Sequence, residues 1–163
     1  MGKPKGLANL DVSQPVEERV TSFLNSIIEA EGYSGWDKKL LSSLTLTRAS
    51  AGEVVLEFTV TDEMCNFMGN VHGGCSSTML DNTTSLLACT IDNQHLLDSY
   101  TVSRTLSLTF VRPIPVGTRV RSVNRVVHAG KTLMNTEGTL ETLDGKVCVR
   151  CVHDKVVISR PKL

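Results

Sequence analysis

The residues with the most chemical potential fall between Cys65 and Asp92, in the run C-N-F-M-G-N-V-H-G-G-C-S-S-T-M-L-D-N-T-T-S-L-L-A-C-T-I-D. Asp81 is the only carboxylate in the otherwise uncharged stretch from Val71 to Ile91. An acid set among apolar residues needs a hydrogen-bonding partner or a chemical task, because burying it alone is costly. Before it, glycines 69, 73 and 74 let a ligand approach backbone N–H groups closely. A helix that starts at such a turn presents unpaired N–H donors, which suit negative charge, including the charge that develops on a carbonyl oxygen under attack. Asn66, the His72-Gly73-Gly74 turn and Asp81 are therefore the candidate machinery of a reaction at a carbonyl. A structural alternative stays open, in which Asp81 simply bonds a neighbouring hydroxyl such as Ser77, Thr84 or Ser85.

Nine residues separate His72 from Asp81, which on a helix is roughly 13 Å, too far for both to touch one reacting atom. If the two cooperate, the acid comes from a second subunit. Two such helices lying antiparallel across a twofold axis would bring the start of one beside the middle of the other.

Other chemistries have less support. Cys148-Val-Arg-Cys151 looks like half of a zinc site, but residues three apart on a strand point to opposite faces. His72, His95 and His128 have no ligand-like spacing, and His153 shares a strand face with Val147, Val149 and Cys151, as a core or pocket-rim residue would. No metal is expected. Cys75, one turn after His72, reads as a packing side chain rather than a nucleophile. No G-x-S-x-G elbow occurs.

The chain has 163 residues, enough for one domain with a substantial core. Seventeen Lys and Arg balance seventeen Asp and Glu, so no overall field gathers nucleic acid, and at 4% aromatic content base-stacking surfaces are not expected. The balance is uneven, however. Between Ser99 and Thr136 there is no acid, while Arg104, Arg112, Arg119, Arg121, Arg125 and Lys131 all fall there. That segment either meets a phosphate-bearing partner or forms a basic sheet face neutralised by acids of the first half. Five cysteines without framework spacing, and no secretory signal, read as free thiols in an intracellular protein. The C-terminal Pro-Lys-Leu differs at one position from a peroxisomal address, leaving cytoplasm, mitochondrion and peroxisome open. No stretch approaches the roughly 20 apolar residues of a bilayer span, so no membrane insertion is expected.

The elements that must position these residues are legible from periodicity. Residues 1–12 read as a loose tail and 13–163 as a single domain. Ser13 and Pro15 offer helix-start chemistry, and Val16, Val20, Phe23, Leu24, Ile27 and Ile28 recur at helical spacing up to Gly32. Alternation then marks two strands joined at Ser50-Ala51-Gly52, followed by the loop and central helix. Four more strands run from about Tyr100 to Ile158, broken at Pro113–Gly117, Ala129–Lys131 and Asp144-Gly145. One long helix between strands two and three implies an α+β fold, an antiparallel sheet wrapped on that helix. Along the third strand Ser103, Thr105, Ser107 and Thr109 alternate with Val102, Leu106, Leu108 and Phe110, and the pattern does not say which side meets the helix.

The runs G-N-V-H-G-G-C-S-S-T-M-L-D at 69–81, L-S-L-T-F-V-R-P-I-P-V-G at 106–117 and A-G-K-T-L at 129–133 resemble the hotdog-fold acyl-CoA thioesterases. The resemblance covers about residues 36 to 158. Within that family it is to the small enzymes that include acyl-CoA thioesterase 13 and the bacterial phenylacetate-pathway thioesterase. It implies a six-stranded antiparallel sheet around the long helix, a homodimer, often a dimer of dimers, and coenzyme A as part of the substrate with no other cofactor. Gly73 would offer its N–H to the thioester carbonyl, with His72 and Asn66 assisting, and Asp81 of the partner subunit would be base or nucleophile. Ser103 would hold the acid or its water, and Gly130, Lys131 and Thr132 would lie along the pantetheine and nucleotide. The implied reaction is hydrolysis of a fatty-acyl or aryl-acyl coenzyme A. A hydratase or dehydratase on the same scaffold, or a non-catalytic acyl-CoA-binding regulator, are the alternatives.

Overall fold

The computed structural model describes residues 8–159, so both the first part of the expected tail and the Pro-Lys-Leu terminus lie outside the described residues. Helix α1 spans Val16–Ile28 and α2 spans Lys38–Ser42. Strands β1 (Thr45–Ser50) and β2 (Glu53–Thr59) follow, then α3 (Gly73–Ser85), which continues as a 3-10 segment Leu86–Thr90. After the short α4 (Gln94–Leu97) come β3 (Ser99–Phe110), β4 (Arg119–Ala129), β5 (Leu133–Thr142) and β6 (Val147–Ser159).

Period-two sequences between turns produce one six-stranded sheet in the order β1-β2-β4-β5-β6-β3, with every neighbouring pair antiparallel. Gly52, at φ +76°, closes the β1–β2 hairpin where the sequence places its turn. The sheet packs on α3, whose Met79 and Leu80 are buried against Phe58, Val120, Leu140 and Val149. Burial of each such side chain contributes about 1.5–3 kcal/mol. Several of the helix's hydroxyls bond its own backbone: Ser77 donates to the Gly73 carbonyl (2.8 Å), Thr84 to Leu80 (2.5 Å) and Ser85 to Asp81 (2.6 Å), whereas Thr83 donates to Asn124 Oδ1 of β4 (3.1 Å).

A second apolar cluster joins Val20 and Leu24 of α1 to Leu41, Leu56, Leu86, Leu87 and Met134. Arg19, almost wholly buried, fixes α1 to the far end of the 3-10 segment by bonding the Ile91 carbonyl (3.2 Å) and Asp92 (2.6 Å). Leu10 is also buried in this cluster, and its carbonyl accepts from Gln94 (2.9 Å), so the chain is tied down before α1 begins. Pro15 stands at the helix start, while Ser13 bonds Asp11 instead of capping the helix. Among the described residues no helix is long and apolar enough to cross a membrane.

β3 contains an irregularity that decides the face question. Ser103 pairs with Lys155 and Thr105 with Asp154, leaving Arg104 as an extra residue on the β3 side. Such a bulge reverses which side of the strand faces the core. Before it the odd residues Ser99, Thr101 and Ser103 turn inward; after it the even residues Leu106 and Leu108 do, opposite His153 and Cys151 of β6. Hydroxyl and apolar sides thus both meet α3, in succession.

Candidate active site

The first half of the site is the start of α3. His72 is the helix N-cap, its Nδ1 accepting from the Gly74 N–H at 2.9 Å. The Gly73 N–H, at the first helical position, has no acceptor among the described residues and lies at the positive end of the helix. The loop before it is held by Asn66, whose Oδ1 accepts from the N–H of Met68 (2.9 Å) and Asn70 (3.4 Å). Its amide NH2 has no hydrogen-bond partner among the described residues. Asn66 and Gly73 share a cleft of about 380 Å³ whose far wall is Phe110 to Ile114. Phe110 lies over Gly73, whose missing side chain would meet the ring at 3.4 Å.

The second half is built around Asp81. Its side chain is 44% exposed although Leu80 before it and Thr83 after it in α3 are fully buried. Ser103 donates to Asp81 Oδ1 at 2.8 Å, which the bulge at Arg104 makes possible. Lys155, on the inward face of β6 and only 2% exposed, donates to Ser85 Oγ at 2.8 Å and reaches Ser103 Oγ at 3.4 Å. Because Ser103 accepts from the ammonium, its own proton is directed to Asp81. Burial holds the Lys155 ammonium below its ordinary pKa, and the Asp81 carboxylate partly offsets this.

His153, fully buried, completes this half. Thr84 spends its proton on the Leu80 carbonyl, so His153 Nδ1 is the donor in the 2.7 Å contact with Thr84 Oγ1. That leaves Nε2 unprotonated and without a hydrogen bond, 3.5 Å from Asp81 Oδ1. Burial, reinforced by the Lys155 charge, lowers the imidazole pKa to about 4. A neutral ring beside a carboxylate is a pair of proton acceptors. Cys151 shares this face, and burial pushes its thiol up to about 11, which makes it inert.

Within one chain the two halves do not meet. Gly73 and Asp81 sit eight residues apart on one helix, about 12 Å along its axis. The turn of Gly130, Lys131 and Thr132, between β4 and β5, stands at the Asp81 end: Thr132 accepts from Val157 N–H at 2.9 Å, two residues past Lys155. Of the basic residues in the acid-free segment, Arg119 and Arg121 pair with Glu57, Arg125 with Glu53 and Arg104 with Asp154. These are the neutralised sheet face; Arg112 donates to the Val147 carbonyl instead, and neither it nor Lys131 has an ion pair among the described residues. Among the described residues no cluster of metal-ligand side chains occurs.

Comparison with known proteins gives this architecture a family. The Thioesterase superfamily profile matches residues 68–149. A human protein, acyl-coenzyme A thioesterase 13, is 30% identical over 138 residues, spanning 83% of this chain and 95% of its own. The chain belongs to the thioesterase superfamily. Its likeness in fold to solved thioesterase-superfamily structures is extensive: the zebrafish thioesterase superfamily member 2 superposes with a TM-score of 0.77 at 22% identity, covering 89% of this chain and 99% of that one. A Streptococcus pneumoniae thioesterase protein whose structure holds coenzyme A superposes at 0.65 and 18% identity, over 74% of this chain and 90% of that one.

Two side chains beside Asp81 escape sequence reasoning. Lys155 carries the signal of a lysine on the face shared by Cys151 and His153, but a strand lysine is ordinarily a solvent residue. His153 is legible as inward-facing, and its approach to Asp81 is not. Phe67, next to Asn66, is 97% exposed, and Met79, Leu86 and Leu87 are core.

Proposed function

We propose that the protein hydrolyses acyl-CoA thioesters to a free carboxylic acid and coenzyme A, at a site shared between two subunits. The observation that carries the reading is Asp81: a half-exposed carboxylate in a core helix, oriented by Ser103 and, through it, by a buried lysine. Its Oδ2 has no partner among the described residues and is free to take a proton.

In this reading the thioester carbonyl oxygen lies on the Gly73 N–H of one subunit, where the helix end and the Asn66 amide stabilise developing negative charge. Asp81 of the partner removes a proton from water as the water oxygen bonds the carbonyl carbon. The tetrahedral adduct collapses, the C–S bond breaks, and the proton passes to the departing thiolate. His72, with Nδ1 engaged by Gly74, keeps Nε2–H as a donor for the same oxygen. Lys131, with Gly130 and Thr132, is a cation without an ion pair and suits the phosphates of coenzyme A.

A dimer is supported by the distance argument and by exposed apolar residues on the edge strand β3, just after it and in the loop before α3: Val102, Phe110, Val111, Phe67 and Met68. Pairing of two β3 edges would cover them, and a dimer of dimers is the assembly that the family resemblance implies.

The test is thiol release from an acyl-CoA panel by the wild type and by Asp81→Asn. Loss of a general base costs about 10²–10⁴-fold in kcat, with the dimer retained on size exclusion. A fully active Asp81→Ala enzyme would refute the reading.

A further inference from the structure

An apolar cavity of about 170 Å³ lies beside the Asp81 half of the site and is not used by the chemistry above. Ser85, Ser99 and Thr101 are the hydroxyl residues of its lining; Phe23 and Ile27 of α1, Ala88 of the 3-10 segment and Leu97 of α4 are among its apolar walls. Ser85 is one turn beyond Asp81 and is bonded to Lys155, and Thr101 is on the same inward face as Ser103. The lining therefore extends from Ser85, bonded to the polar cluster that orients the carboxylate, to Ala88 and Cys89 farther along the helix axis, away from the Gly73 turn.

We propose that this cavity receives the end of the acyl group, and that α1, through Phe23 and Ile27, sets its length. The inference rests on the thioesterase reading for the identity of the ligand. The occupant is an unbranched acyl tail of medium length. Its volume is only slightly above the roughly 150 Å³ that admits a benzene ring, so about six carbons fill it. Ala88 lies seven residues past Asp81, roughly 10 Å or more along the axis. A ring joined to the carbonyl through one methylene does not span that gap, whereas a chain does. A palmitoyl tail fills the cavity with carbons to spare, so the optimum falls below it.

The test is hydrolysis of acetyl-, hexanoyl-, decanoyl-, palmitoyl- and phenylacetyl-CoA by the wild-type full-length chain, Ala88→Leu and Ile27→Ala. Ala88→Leu adds three carbons to the wall, and each methylene kept from apolar contact costs about fourfold, so the decanoyl-to-acetyl ratio of kcat/KM falls about tenfold or more. Ile27→Ala moves the optimum the other way, raising palmitoyl relative to decanoyl. Calorimetry with the thioethers S-methyl- and S-decyl-coenzyme A reads the same cavity without turnover: the affinity gained from the decyl tail in the wild type is lost in Ala88→Leu. If the wild type releases no thiol but the decyl gain is present and lost in Ala88→Leu, the cavity assignment stands and the hydrolytic reading falls. If the wild type hydrolyses but both variants, folded by circular dichroism, keep its chain-length profile and decyl gain, the cavity assignment is overturned. A wild type that gains nothing from the decyl tail, or that prefers phenylacetyl-CoA, overturns it as well.

Discussion

Lys155 and His153 give Asp81 an environment that a carboxylate on an ordinary helix face lacks. Lys155 fixes the Ser103 hydroxyl by occupying its lone pair, so Lys155→Met frees that rotor while keeping the side-chain bulk. Expected are a kcat lower by about tenfold, the scale of one orienting hydrogen bond to a charged group, and a KM close to wild type. The pH profile separates orientation from packing. The lysine pKa is lowered by burial, so wild-type activity falls on the alkaline side as that ammonium deprotonates below its ordinary value, and Lys155→Met lacks this limb. An unchanged alkaline limb sinks the orienting role. His153 makes a stability prediction. Its folded pKa of about 4 lies below the ordinary 6.5, so above 6.5 both folded and unfolded chains are neutral and the stability is intact. As pH falls from 6.5 toward 4 the unfolded chain gains the proton first, and stability drops by about 3 kcal/mol in total. Urea midpoints at pH 7 and pH 4.5 measure the drop, and His153→Gln flattens it.

At the scale of elements, the extra residue Arg104 is what lets one strand offer Ser103 to the carboxylate and Leu106 and Leu108 to the core. Deleting Arg104 forces one of those sets outward: the product either unfolds or loses turnover. Arg104→Ala keeps the extra residue and removes only an exposed contact with Asp154, so its melting temperature and kcat stay close to wild type. An active, stable deletion variant contradicts the account of β3. The strands, the three hairpin turns and the long helix were legible because their periods and turn residues are local properties. The bulge was not, since alternation of Ser103 through Phe110 runs unbroken in the sequence and the reversal is set by β6. The helix also stops being α-helical at Ser85, five residues before its apolar run ends, because Leu86–Thr90 packs against α1 and β2 as a tighter 3-10 turn. Lys155 and the cavity walls were hidden for a related reason: their neighbours come from distant segments, and no spacing in one segment encodes them.

For the whole molecule, the site proposed above divides between two chains, a donor half from one and an acid half from the other. Gly73→Val, which presses against the Phe110 ring, removes the donor half, and Asp81→Asn removes the acid half. Coexpressed in equal amounts, the two inactive chains form mixed dimers in half of the assemblies. Each mixed dimer holds one intact and one doubly defective site, restoring about a quarter of wild-type activity. Absence of recovery, with mixed dimers demonstrated by differential tagging, places both halves in one subunit. A different constraint operates where the sheet comes nearest the helix. A methyl group on Gly138 would stand 2.7 Å from Asn124 Oδ1, 2.9 Å from Thr84 and 3.1 Å from Leu80, and Asn124 is itself bonded to Thr83 at 3.1 Å. A saturation library should therefore show position 138 as intolerant as position 81, although nothing at 138 touches a ligand. Clones lost there would vanish from the soluble fraction, and clones lost at 81 would remain in it as silent protein.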